Sequence, residues 1–167
     1  MSQDEQVDIV DEINNIQFQT SKYESHKKGL LHRVVIGAVH TSDGRICLIK
    51  QASDRQDAGQ YVCPVGGHVS AGESEESALL REALEEIGTN EFKFKLLGRA
   101  VFNREVISRK ENHYFNVFRI IYDGELVLNE ESVDYEYFTP EQLDQELINQ
   151  PQKFGDAFKF VYENFFN

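Results

Sequence analysis

Along the chain the apolar positions change period several times, and each change marks an element. Val7 to Asp11 and Ile16 to Thr20 alternate around Asn14-Asn15, which predicts an N-terminal hairpin over 7–20. Ser21 to Gly29 is polar and reads as a connector. Leu31 to His40 is a Val- and Ile-rich run that predicts a buried strand, and Asp43-Gly44 turns it into a second strand over Ile46 to Lys50. Gln51 to Gln60 reads as a polar loop, Tyr61 to Pro64 as a short strand, and Gly66 to Gly72 as a glycine-rich loop.

The period then becomes helical. Ser74 to Ile87 carries a plausible N-cap at Ser74 and a stop at Gly88. Phe92 to Leu97, Val101 to Ser108 and Tyr114 to Tyr122 read as strands, with Arg109 to Asn112 as the turn between the last two, and Tyr135 to Phe138 as a short further strand. Thr139-Pro140-Glu141-Gln142 has the form of a capping box with proline at the first helical position. The closing helix sets Phe154, Phe158, Val161, Tyr162 and Phe165 on one apolar stripe, expected to pack the core. Strands, helix, strands, then helices over about 140–166 predict a mixed sheet covered by helices, an α/β sandwich in one domain spanning 1–167.

Composition narrows the partners. Seventeen basic against 29 acidic residues give a net charge of −12, which disfavours binding a nucleic-acid duplex. With 40% apolar residues and 12 Phe, the chain can bury a real core. Cys47 and Cys63 sit in apolar runs and form no CxxC pair, as reduced core cysteines would. The start, MSQDEQVDIVDE, is acidic and lacks the apolar region of a signal peptide, and no apolar run reaches the roughly 20 residues of a membrane span. A cytoplasmic, soluble protein is the expectation.

The chemistry concentrates in the central helix. Glu82, Glu85 and Glu86 fall at i, i+3 and i+4, within a sector of roughly 100°, while Leu80, Ala83, Leu84 and Ile87 are expected to face the core. Like charges at these spacings cost an isolated helix about 0.2–0.5 kcal/mol per pair, and Arg81 is the only cation nearby. Such a cluster makes sense if divalent cations fill it, and oxygen-only ligation suits Mg²⁺ or Mn²⁺; a solvated acidic face is the competing reading. Before the helix, Gly66, Gly67 and Gly72 allow tight backbone near a ligand, and Glu73 suits the helix start.

Gly67, Glu73 and Arg81-Glu82-Ala83-Leu84-Glu85-Glu86-Ile87-Gly88 together resemble the Nudix box, G-x5-E-x7-R-E-U-x-E-E-x-G-U, over residues 67–89. Every charged and glycine position is present; Ala83 and Thr89 depart at aliphatic positions. The resemblance implies an α/β/α sandwich with a loop-helix-loop catalytic box. It implies Glu82, Glu85 and Glu86 as metal ligands, with the Gly66 carbonyl as a fourth donor and Arg81 pairing with Glu73 to fix the box. The implied reaction is water attack on phosphorus in a diphosphate-containing small molecule, with more than one ion once substrate is bound. Glu82 is the first candidate for general base; Glu111, Glu131 and Glu136 are later ones.

Beyond the box, His26-Lys-Lys-Gly-Leu-Leu-His32-Arg33, Gly67-His68 and Glu111-Asn112 are similar to the Nudix branch of isopentenyl diphosphate isomerase. Isomerases of that group bind a metal through histidines and glutamates. His32, His68 and Glu111 match those ligands by position, His26 matches roughly, and His113 stands where that family has a second glutamate. Such an imidazole and carboxylate site would accept Mn²⁺ or Zn²⁺. Isomerisation itself fits poorly: the family's cysteine before the Gly-His pair is Gly66 here, and the box is intact. Hydrolysis is therefore the leading reading, with an isomerase-like enzyme and a non-catalytic nucleotide-binding module as alternatives. Substrate choice falls to loops such as 51–60, 104–112 and 123–134. Arg104, Arg109 and Lys110 could meet a phosphate there, or be solvated; Phe102, Tyr114 and Phe115 could stack on a substrate, or be sheet residues. The N-terminal hairpin or the aromatic C-terminal helix could serve a homodimer.

Overall fold

One strand organises the molecule. β3 (His32–His40) is buried along almost its whole length and alternates between two cores. Val35 and Val39 pack beneath one helix layer, whereas Val34 and Ile36 pack beneath the other. A strand covered on both faces needs apolar side chains at every position, hence the unbroken run in the sequence. At Gly37 a Cβ would meet Ile120 at 2.7 Å and Val65 at 2.8 Å, so the residue is small because the strands and helix close in there.

The computed structural model describes residues 5–166. The first residues of the acidic N-terminal stretch, 1–4, and residue 167 lie outside the described residues. The chain opens with β1 (Gln6–Val10) and β2 (Ile16–Ser21), paired antiparallel as expected, and Asn14 takes a positive φ of 68° in their turn. The 21–29 segment is not a mere connector. It forms α1 (Lys22–Lys28), because Ser21 accepts from the Glu24 N–H and Gly29 takes the left-handed closing conformation. After β3 come β4 (Ile46–Gln51), β5 (Tyr61–Val62) and β6 (Val65–His68). Gly66 and Gly67 thus belong to a strand paired with β3, and within 66–72 only Gly72 uses a positive φ.

Next comes α2 (Glu75–Ile87), capped by Ser74 and closed by Gly88 in the left-handed region, as its sequence predicts. Its buried face differs from expectation. Ala78, Leu79, Ala83 and Ile87 fill the core, while Leu84 is 53% exposed. The apolar stripe is displaced because Glu82, at 5% exposure, occupies part of the inward face.

β7 (Lys93–Val106) and β8 (Arg109–Ile121) form one long hairpin with a register shift between Leu96 and Gly98. Its turn is Ile107-Ser108, both at positive φ, so Arg109 to Asn112 are strand rather than turn. Neither residue is a usual left-handed former, which hid the turn from the pattern. β8 runs parallel to β3 from His32↔His113 to His40↔Ile121. β9 (Ser132–Phe138) pairs with β4. The chain ends in α3 (Pro140–Asn149), with the full Thr139/Gln142 capping box, and α4 (Asp156–Phe165). Phe154 precedes α4 but remains wholly buried beside Phe158. The mixed sheet with α2 on one face and α3 and α4 on the other is the α/β/α sandwich that was expected. Among the described residues no helix is long and apolar enough to cross a membrane.

Candidate active site

The ends of β6 and α2 meet at one cleft of about 230 Å³. Gly67 lies against Glu82 so closely that any Cβ there would collide with the carboxylate. Arg81 binds the loop before the helix to the helix itself. Its Nε and Nη2 donate to the two oxygens of Glu73 at 3.0 and 2.9 Å. Nη1 donates to Glu82 at 2.7 Å, and Nη2 also donates to the His68 carbonyl at 3.0 Å. Glu73 further accepts the Ser70 N–H at 3.0 Å. Arg81 and Glu73 therefore sit as a structural pair.

The three helix carboxylates line the cleft together. Glu82 is buried, Glu86 half-buried and Glu85 exposed. The Gly66 N–H donates to Glu86 at 2.9 Å. Burial lifts Glu82 to about 7; Arg81 opposes this, and the charges of Glu85 and Glu131 add to it. Burial likewise holds Glu86 well above the usual carboxylate range, against the Gly66 N–H and with Glu82, Glu131 and Glu85 adding to it. A carboxylate cluster under this mutual repulsion is an oxygen-rich cradle suited to hard divalent cations.

Of the three later glutamates, one joins this cluster. Glu131 lines the cleft, pairs with Arg55, and is close enough to shift both Glu82 and Glu86. Its loop is tied to the helix end by Asn129, whose side-chain amide donates to the Glu85 carbonyl at 3.0 Å. Glu136 instead accepts the Tyr61 hydroxyl at 2.7 Å and does not line the cleft. Glu111 is clamped: Arg104 Nε donates to one oxygen at 2.8 Å and Arg109 Nε to the other at 2.7 Å.

Arg104 and Arg109 do line the cleft, whereas Lys110 is exposed elsewhere. Arg104 also spans both oxygens of Asp57, at 2.8 and 3.2 Å. Apolar lining comes from Val34, Ile36, Val62, Phe115 and Val161. Phe102 stacks on Phe115 at 5.2 Å, and Tyr114 is buried away from the cleft.

Of the expected His32, His68 and Glu111, the two histidines come together. With Glu111 held by two guanidiniums, four histidines converge instead: His26 of α1, His32 of β3, His68 of β6 and His113 of β8. One ring nitrogen of each lies within 4.8 Å of the others, and all four residues are buried. His26 Nε2 stands 3.2 Å from His113 Nε2 and 3.3 Å from His68 Nε2. Burial holds His26 at about 3 and His32 at about 4, and pushes His68 and His113 well below the usual histidine range. The pairing of His26 with His113 spans 87 positions, so no local spacing announced it.

A mixed sandwich whose loop and helix gather glutamates at one cleft defines a class, and comparison with known proteins agrees with it. The NUDIX domain model matches residues 30–158, and the chain belongs to that family. An uncharacterised Nudix hydrolase of Streptomyces coelicolor is 38% identical over 107 residues, covering 58% of this chain but only 56% of that protein. An isopentenyl-diphosphate Delta-isomerase of Serratia proteamaculans is 29% identical over 156 residues, covering 90% of this chain and 86% of that protein. A Deinococcus radiodurans crystal structure shares the fold with a TM-score of 0.73 at 22% identity, over 95% of this chain and 98% of that one.

Proposed function

We propose that this protein is a hydrolase that cleaves a phosphoanhydride bond in a diphosphate-containing small molecule, with Mg²⁺ or Mn²⁺ as cofactor. The observation that carries the reading is the convergence of Glu82, Glu85 and Glu86 on a cleft that also presents Arg55, Arg104 and Arg109. In this reading the three glutamates and the Gly66 carbonyl hold the ions. The ions, when bound, neutralise the diphosphate and stabilise charge that develops as the bond breaks. The arginines, each paired with a carboxylate of the cleft, keep further N–H groups to offer the same anion, and the apolar lining takes the organic group.

Glu131 is the general base we favour over Glu82. Glu82 is committed to the cradle, whereas Glu131 comes from a separate loop and reaches the same space. Its partner Arg55 fixes the position of the carboxylate, which in this reading takes the proton of the attacking water.

The test is release of phosphate or a monophosphate from a panel of diphosphate compounds, with and without Mg²⁺ or Mn²⁺. Metal-dependent release by wild type is expected. Glu86→Gln should lower it by about 100-fold or more, because metal stabilisation of the transition state is worth several kcal/mol. Equal rates for the two proteins would remove the metal assignment.

Isomerisation is the second reading, because Cys63 lines the cleft and a named isomerase is among the relatives. Burial pushes the Cys63 thiol up to about 12, which leaves it a poor base or nucleophile. Isopentenyl diphosphate therefore belongs in the panel, with rearrangement scored beside hydrolysis.

A further inference from the structure

Between β8 and β9 the chain passes through 122–131 without helix or strand, yet the end of this loop is held firmly. We propose that Asn129 is a positioning residue for the reaction: it registers Glu131 against the last turn of α2, the turn that carries Glu85 and Glu86. The inference rests on the reading of Glu131 as general base.

The helix end starts the argument. The last four carbonyls of an α-helix find no partner within it. The loop supplies donors to two of them in α2. The Val127 N–H donates to the Ile87 carbonyl at 3.0 Å, and Asn129 Nδ2 donates to the Glu85 carbonyl at 3.0 Å. Leu126, 4% exposed, sinks into the core that α2 covers, and Leu128 packs against the same core. The loop therefore follows the helix end wherever that end sits.

Asn129 also reaches toward the base. Its Oδ1 accepts the Glu131 N–H at 3.0 Å, and Nδ2 donates to the Glu131 carboxylate at 3.4 Å. A carboxamide carries two N–H groups and an acceptor oxygen, so one side chain can serve the helix carbonyl and the base together. A cap for α2 would need only the bond to Glu85. The bonds to Glu131 are what a cap does not require.

The other contacts of Glu131 come from the opposite side. The Ala52 N–H donates to its carbonyl at 2.9 Å, and Arg55 pairs with its carboxylate. Both belong to the 51–60 segment, so of these contacts only those of Asn129 refer Glu131 to the helix of the carboxylate cradle. That reference matters because a reacting group must be held to within about 0.5 Å of its working geometry. The attacking water has to lie between the base and the cradle, and Asn129 sets the width of that gap.

The experiment compares wild type, Asn129→Ala, Glu131→Gln and the double variant. Hydrolysis is followed with the panel compound that wild type cleaves fastest, and residue-resolved amide exchange is measured without substrate or metal. A misplacement on the order of 1 Å costs up to about 100-fold, so Asn129→Ala should lower kcat by about 10- to 100-fold while KM and the Mg²⁺ dependence stay unchanged. In the double variant the asparagine change should add nothing to the loss from Glu131→Gln, because it acts through that carboxylate. In Asn129→Ala the Glu131 amide should exchange roughly tenfold faster, the weight of one hydrogen bond, while the core amides of α2 keep their rates. Additive losses, an undiminished kcat, an effect confined to KM or Mg²⁺, or an unaltered Glu131 exchange rate would each overturn the assignment. Full activity in Glu131→Gln would remove the base and this assignment with it. A wild type that hydrolyses nothing would remove the hydrolase reading, and the exchange rates would still decide whether Asn129 holds Glu131.

Discussion

Gly67 shows how one hydrogen atom can set a site. Its missing side chain is the space that the Glu82 carboxylate occupies. Gly67→Ala should therefore push Glu82 out of place, destabilising the fold by about 1–3 kcal/mol and weakening metal activation at least tenfold. Urea midpoints and Mg²⁺ titrations of turnover would reveal this; an unchanged Mg²⁺ dependence would show that Glu82 tolerates displacement. Residues of this kind are legible in sequence, because Gly67, Glu73, Arg81 and the three glutamates lie within one short segment whose spacing reports their geometry. Leu84 was misplaced for a related reason. Helical period alone could not show that a carboxylate would take an inward position and turn a leucine to solvent.

Elements meet through polar contacts that no period reveals. Asp8 of β1 is 1% exposed and receives Arg33 of β3 at 2.7 Å, the Gly72 N–H at 3.0 Å and the Gln19 amide at 2.9 Å. The N-terminal hairpin thereby grips the loop that leads into α2. Asp8→Ala strands the buried Arg33 charge and should cost about 3 kcal/mol by chemical denaturation. A loss below about 1 kcal/mol would mean that Glu75, 3.7 Å from Arg33, suffices as its partner.

The histidines join four elements and give acid stability a definite sign. Their native pKa values lie below 6.5, so as pH falls from 6.5 the unfolded chain takes up protons that the native chain refuses, and stability is lost. Glu82 and Glu86 act oppositely: their raised values let the native state bind protons first and gain stability between about 7 and 4.5. In chelator-treated protein, the urea midpoint should therefore fall more steeply from pH 6.5 to 5 in Glu82→Gln/Glu86→Gln than in wild type. Parallel profiles would contradict these shifts. The resemblance named His32 and His68, with His26 and His113 beside them, but not that four imidazoles would meet, because His113 reaches the others only through the β3–β8 register.

At the scale of the molecule, the layers were readable because each follows from a change of period. The cleft was less so, since its walls come from β3, β6, α2, β8 and the 123–131 loop at once. Three later glutamates looked alike in sequence. Only the fold distinguishes Glu131, close enough to act on Glu82 and Glu86, from Glu111, which lines the same cleft but is held between Arg104 and Arg109, and Glu136, bound by Tyr61 outside it. The cleft shares the acidic balance of the chain, since Asp57, Glu82, Glu85, Glu86, Glu111 and Glu131 line it against Lys22, Arg55, Arg104 and Arg109.

The parallel pairing of β3 with β8 carries a kinetic consequence. The β7–β8 hairpin closes through a two-residue turn and is local, whereas His32 meets His113 only after some eighty intervening residues have been gathered in. Closing so distant a pair is slow relative to zipping a hairpin, because the entropy of the intervening chain is lost before any contact repays it. The histidine cluster straddles that junction, so it should assemble later than the β7–β8 hairpin, whereas the carboxylate cradle of 66–86 is drawn from one short segment.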